Sequence, residues 1–121
     1  MTTTYKKGFR QLIAWQESHR LTLFIYKITA HFPRSELFAL VSQMQRASSS
    51  IGAQLAEGSR MPTKPHQKLY YDRAYSSGAE VDNFLELAHD LKYISDEEYE
   101  KGLAMVNKVS YLILHLSQAC S

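Results

Sequence analysis

Proline, glycine and cysteine are scarce in this chain, and each shortage excludes something. Three prolines and five glycines among 121 residues are too few for the many tight turns of an all-β fold. A single cysteine, Cys120, can close no internal disulfide and build no cysteine-based metal site. Its lone presence fits a reducing, cytoplasmic location, and Cys120 itself reads as an inert tail residue. No run approaches the roughly eighteen apolar residues that a membrane span needs. Lys6 and Lys7 near the N-terminus are not followed directly by an apolar stretch, so no signal peptide is expected. Neither a low-complexity segment nor a repeat with matching residues occurs. Charge of one sign is also missing, because the formal balance is only +2.

What remains is an ordinary globular composition, 45% hydrophobic and 21% charged, which argues against disorder. The length suits one domain over residues 1–121, able to bury roughly two-thirds of its unfolded surface. Four long segments carry helical periodicity, at about residues 12–31, 36–57, 64–92 and 96–117. In the first, Leu21, Phe24, Ile25, Ile28 and Phe32 form one apolar face, and Pro33 ends it. In the second, Ser35 is the expected N-cap, with Glu36 at the positive end. Leu37, Leu40, Met44, Ala47, Ile51 and Leu55 form its face, and Gly58 is the expected stop. Its centre, Ala47 to Ala53, is small all round and open to a close helical neighbour. The third begins at Thr63 or Lys64, with Pro65 in the first turn. Tyr70, Ala74, Ser77, Val81, Phe84, Leu85, Ala88 and Leu91 are its core positions. Ser95 with Glu98 three residues on is a capping box that opens the fourth. Short breaks between long helices make consecutive helices antiparallel neighbours. The expected fold is therefore all-α, an up-down-up-down antiparallel four-helix bundle.

The centre of the second segment reads Ser42-Gln43-Met44-Gln45-Arg46-Ala47-Ser48-Ser49-Ser50-Ile51-Gly52-Ala53-Gln54-Leu55-Ala56-Glu57-Gly58. It resembles the signature of the 23S rRNA intervening-sequence proteins, roughly S-Q-x-x-R-A-x-x-S-I-x-x-N-x-A-E-G. Phe9-x-x-Leu12-x-x-Trp15, Phe32-Pro33, Ala74-x-x-Ser77-x-x-Glu80 and Tyr93-Ile94-Ser95 match in order. Gln54 departs from the usual asparagine, and Ser76 from a common glycine. The resemblance implies a small bundle that forms a ring-like homo-oligomer, typically a pentamer. Some members are encoded within insertions in large-subunit ribosomal RNA genes, and a distant relative holds nucleic acid beside a retroelement reverse transcriptase. It implies no catalytic residue and no cofactor. The partners it favours are self, RNA or DNA.

Position turns the small net charge into a contrast. Residues 1–73 hold eleven Lys or Arg against four Asp or Glu, a net +7, and residues 74–121 hold three against eight, a net −5. The sign changes inside the third segment. At 100° per residue, Lys64, Lys68, Tyr71, Tyr75, Asp82 and Glu86 share one stripe, expected opposite the core face. Its basic end lies at the helix N-terminus and its acidic end at the C-terminus, against the preference of the macrodipole. Three explanations compete. One is ion pairing to the first and fourth helices. Another is head-to-tail association of protomers. The third is nucleic-acid binding through Arg60, Lys64, Lys68 and Arg73, with Tyr71 or Tyr75 stacking on bases. Gln43, Arg46, Ser50, Gln54 and Glu57 form a second candidate, a polar seam that sets helix register or a subunit contact.

Catalytic and metal readings find little support in the residue pattern. Glu86-Leu87-Ala88-His89 is one Glu-x-x-His motif, whereas a di-iron bundle needs two and two more glutamates. Arg60 and His66 have a spacing seen in some helical ribonucleases, but they flank a proline-broken loop. No nucleotide loop, nucleophile elbow or zinc motif occurs. The expected function is a non-enzymatic homo-oligomeric scaffold associated with nucleic acid. The alternatives are a protein-only interaction module with a structural charge stripe, or a helical ribonuclease.

Overall fold

A computed structural model describes residues 8–121. The segment behind the signal-peptide expectation, with Lys6 and Lys7, lies outside the described residues. A single 3-10 turn at Gly8–Gln11 leads into α1, Ile13–Thr29. After Pro33 come a 3-10 turn at Arg34–Glu36 and a π turn at Leu37–Val41, and α2 then runs over Ser42–Ser59. Helix α3 spans Lys64–Asp90 and α4 spans Asp96–Ala119. No strand occurs among the described residues.

Side-chain meetings give the direction of each helix. Trp15 packs on Gly52, and Thr22 donates to the Ser48 carbonyl. Positions thus rise along α1 as they fall along α2. Gly58 touches Tyr70, Ser50 meets Ser77, Gly78 faces Ser110, and Glu86 meets Tyr99. Glu17 of α1 pairs with Lys108 of α4 at 3.6 Å. Each helix is therefore antiparallel to the two it touches, and the bundle closes as α1–α2–α3–α4–α1.

The termini follow local chemistry. Thr63 caps α3 by accepting from the His66 amide, with Pro65 in the first turn, where its missing N–H leaves no helical bond unmade. The capping box at α4 is complete: the Glu98 amide donates to Ser95 Oγ at 3.0 Å, and the Ser95 amide to Glu98 Oε1 at 2.9 Å. Past α3, Lys92 adopts a left-handed φ of 66°. There the Tyr93 amide reaches back to the Ala88 carbonyl and satisfies an end-of-helix acceptor.

The core is aliphatic. Leu21, Ile25, Met44, Ile51, Leu55, Val81, Leu85, Val109 and Ile113 are fully buried, each worth about 1.5–3 kcal/mol of transfer free energy. At one end Phe32 packs on Tyr93 with ring centroids 5.2 Å apart, and Tyr93 donates to Glu36 at 2.8 Å, tying together the two connections there. That bond also holds the Tyr93 hydroxyl above its ordinary pKa.

Four expectations about α2 and α3 change. Leu91, named a core position, caps the end of α3 and is 44% exposed. Ser35 caps nothing, and Glu36 belongs to the 3-10 turn rather than to the start of a long helix. The wider π turn sends Leu40 and Val41 inward together and leaves Leu37 half-exposed, off the core face. Gly58 is not a stop. It is buried inside α2, with an ideal Cβ 2.9 Å from both the Tyr70 Cβ and the Tyr71 ring. The missing side chain is what lets α3 approach. The inward tyrosine is accordingly Tyr71, 5% exposed, and Tyr70 is only half-buried.

Gly58→Ala has no open space for its methyl, since one of the atoms it meets is a Cβ fixed to the backbone of α3. We expect a loss of about 1–3 kcal/mol of stability from overpacking, despite the better helix propensity of alanine, read as a lower denaturant midpoint with unchanged m-value.

Candidate functional site

The charged stripe of α3 lies along its edge with α4, not opposite the core. In an antiparallel pair the N-terminus of α3 stands beside the C-terminus of α4. Lys64 reaches the Ala119 carbonyl at 3.4 Å, and Lys68 lies 3.0 Å from Ser117 Oγ. Lys68 also pairs with Asp72 at 3.1 Å, and Ser117 donates to that carboxylate at 2.5 Å. The Ser117 bond foremost, then Lys68, holds Asp72 below its usual range. At the other end Tyr99, in the first turns of α4, donates to Glu86 at 2.6 Å. The basic end of the stripe thus answers the negative end of α4, and Glu86 lies near its positive end. What opposes the dipole of α3 suits that of its neighbour. The bonds from Lys64, Lys68 and Glu86 to α4 are hydrogen bonds to a carbonyl and hydroxyls, not the ion pairs of the first of the three explanations.

Beside the Glu86–Tyr99 bond sits a Glu-x-x-His motif that holds no metal geometry. His89 Nε2 is 2.6 Å from Asp96 Oδ1, and its ring stacks on Tyr99 at 4.1 Å. His89 holds the Asp96 carboxyl below its ordinary pKa. No group of three potential metal ligands is brought together among the described residues.

The proposed polar seam divides. Gln43, Arg46 and Ser50 line a groove of about 350 Å³ between α2 and α3, with Phe38 at its rim and Glu80 across it. Ser50 Oγ is 3.1 Å from Ser77 Oγ, a polar link between the helices. Arg46 donates to Ser42 at 3.1 Å within α2. Gln54 follows on the same face, and its Oε1 is buried without a hydrogen-bond partner among the described residues. Glu57 is exposed beyond it. Asp82 and Glu86 are on the α4 side of α3 and do not join the seam. The matching residues Ser77 and Glu80 do meet it.

Of the candidate nucleic-acid residues, Arg60, Lys64 and Arg73 are exposed. Arg60 lies at the end of α2, Lys64 on the α4 edge of α3, and Arg73 beside Tyr70 on the α2 side, about half a turn round the helix from Lys64. Among the described residues none of the three has a carboxylate at ion-pair distance. Lys68 is spent on Asp72 and Ser117. Tyr71 is removed from the set: its ring lies under Gly58, and burial raises its pKa. Tyr75 is half-exposed toward α4. The aromatic ring that joins these cations is Tyr70, with the Arg73 guanidinium 5.1 Å from its centroid. Its one-residue offset from Tyr71 could not be resolved from periodicity alone. His66 is engaged locally, its Nδ1 3.1 Å from Thr63 Oγ1.

A family model described as 23S rRNA-intervening sequence protein matches residues 10–115. The crystal structure of a protein of unknown function from the S23 ribosomal protein family, from Bacteroides thetaiotaomicron, is similar in fold. It aligns with a TM-score of 0.78 at 21% identity, over 87% of this chain and 98% of that one. No curated protein matches.

Two titrations test the α3–α4 edge. The Tyr99 hydroxyl is raised to about 12, first by its bond to Glu86. Glu86→Gln is expected to bring it back toward 10, followed by NMR of the tyrosine ring carbons. Asp72 has a lowered folded pKa, so its bonds stabilise the fold above the ordinary aspartate value of 3.8. That contribution disappears as acid protonates the carboxylate. The stability gap between wild type and Ser117→Ala should therefore shrink as pH falls through the folded pKa of Asp72, measured by denaturation across an acid series.

Proposed function

The chain belongs to the 23S rRNA-intervening sequence protein family, and from that membership we propose that it is a non-catalytic, self-associating scaffold of the cytoplasm that holds nucleic acid along the end of α2 and the first half of α3. One observation carries this reading: Arg60, Lys64 and Arg73 are all exposed over the end of α2 and the first half of α3, without carboxylate partners among the described residues. Cations left unpaired keep their capacity to neutralise phosphates and release counterions. Tyr70, already beneath Arg73, adds a ring face on the α2 side. Such a patch reads charge and shape rather than sequence. A homo-oligomeric ring, pentameric in the family expectation, presents several copies at once and raises avidity without new contacts.

A protein-only module is favoured by one different observation. Lys68, at the centre of the stripe, is already held by Asp72 and Ser117, so part of the charge pattern serves the fold. Salt separates the two readings. Affinity for a structured RNA or a DNA duplex should fall linearly with log salt. Arg60→Glu, Lys64→Glu and Arg73→Glu should each weaken binding of all sequences alike and lower that slope by about 1. Absence of binding to either probe at low salt would eliminate the nucleic-acid half of the proposal.

A further inference from the structure

The groove between α2 and α3 brings charges of opposite sign together without joining them. The Ser50–Ser77 contact at 3.1 Å sets the register of the two helices. About one turn from that contact, in the same direction along the bundle, Arg46 and Glu80 stand nearly level. Both line the groove of about 350 Å³, Arg46 from α2 and Glu80 from α3, and both are exposed. Among the described residues neither is in an ion pair. The Arg46 guanidinium reaches the Ser42 hydroxyl of its own helix at 3.1 Å, a contact that uses only part of its donor fork. Gln43 adds an amide to the α2 wall, and Phe38 stands at the rim, 92% exposed.

We infer that this groove binds a small zwitterion, an α-amino acid with an apolar side chain. Its carboxylate lies on Arg46, its ammonium on Glu80 and its side chain against the Phe38 ring. The charge pattern selects against simpler ligands. A phosphate or lone carboxylate drawn to Arg46 is repelled by Glu80, and an amine or metal ion drawn to Glu80 is repelled by Arg46. A molecule that carries both charges finds a partner for each. The planar fork of Arg46 suits a carboxylate, since it can donate two parallel bonds. Size agrees. The groove is at the lower end of the roughly 300–1,000 Å³ of ligand pockets, which fits a molecule as small as an amino acid. A phenyl ring exposed almost completely to water gains when an apolar side chain covers it. The nucleic-acid cations differ in kind: Arg60, Lys64 and Arg73 have no carboxylate at ion-pair distance among the described residues, and none of them lines this groove. The amino-acid site therefore rests neither on nucleic-acid binding nor on self-association.

Titration of the full chain with L-phenylalanine and with L-leucine, followed by NMR of the backbone amides, tests the site. Saturable shifts are expected around residues 42–50 and 77–80. The dissociation constant should be on the order of a millimolar for so small a ligand. N-acetylphenylalanine lacks the ammonium and phenylalaninamide lacks the carboxylate, and each should bind about tenfold more weakly. Arg46→Gln should weaken phenylalanine about tenfold and leave phenylalaninamide unchanged. Glu80→Gln should weaken phenylalanine to the same degree and leave N-acetylphenylalanine unchanged. Both side chains are exposed, and circular dichroism checks that both variants remain helical. Absence of groove shifts with either amino acid, at about ten times the expected constant, would overturn the inference. So would binding that neither the blocked analogues nor the two variants weaken, because the charges would then play no part.

Discussion

The close approach of α2 and α3 governs much of this molecule. It depends on an unsubstituted Cα at Gly58 and on small hydroxyl side chains at Ser50 and Ser77. With no side chain at Gly58, the Tyr71 ring enters the core and Tyr70 is left at the rim. That rotation sets Arg73 over Tyr70 on the α2 side of α3. Farther along, the Ser50–Ser77 link leaves room above it for the groove that holds Arg46 and Glu80. Packing density at one contact thus decides which polar groups face water and which face each other.

Antiparallel pairing resolves the electrostatics in the same way. Considered alone, α3 carries its charges the wrong way round for its own dipole. Beside α4 the arrangement is favourable, since Lys64 and Lys68 sit at the carbonyl end of the neighbour and Glu86 accepts from a tyrosine near its amide end. These are exposed or half-exposed contacts, each individually modest. Their effect is on register, because each bond joins positions that a slip of one turn along α4 would separate.

Residues that carry the resemblance to the family also meet one another in the bundle. Phe32 packs on Tyr93, and Ser50 bonds to Ser77. Most of the signature therefore describes how the bundle packs. Gln43, Glu57 and Glu80 have exposed polar ends, and Arg46 reaches Ser42 of its own helix.

Periodicity, proline positions and the capping box determined four helices, their approximate ends and most of the core, because burying one apolar face and satisfying backbone termini are local demands. Net charge by segment was legible for the same reason. Three things needed the tertiary structure. The π turn at Leu37–Val41 depends on seating Leu40 and Val41 together. The choice between Tyr70 and Tyr71 depends on a glycine in another helix. Whether a cation is free or held depends partly on what the neighbouring helix presents: Ser117 of α4 joins Asp72 of α3 in holding Lys68, whereas Arg73 has no carboxylate at ion-pair distance among the described residues. A side chain's direction along one helix follows from its own 100° steps. What it meets there is a property of two helices, and the sequence of one does not contain the distance to the other.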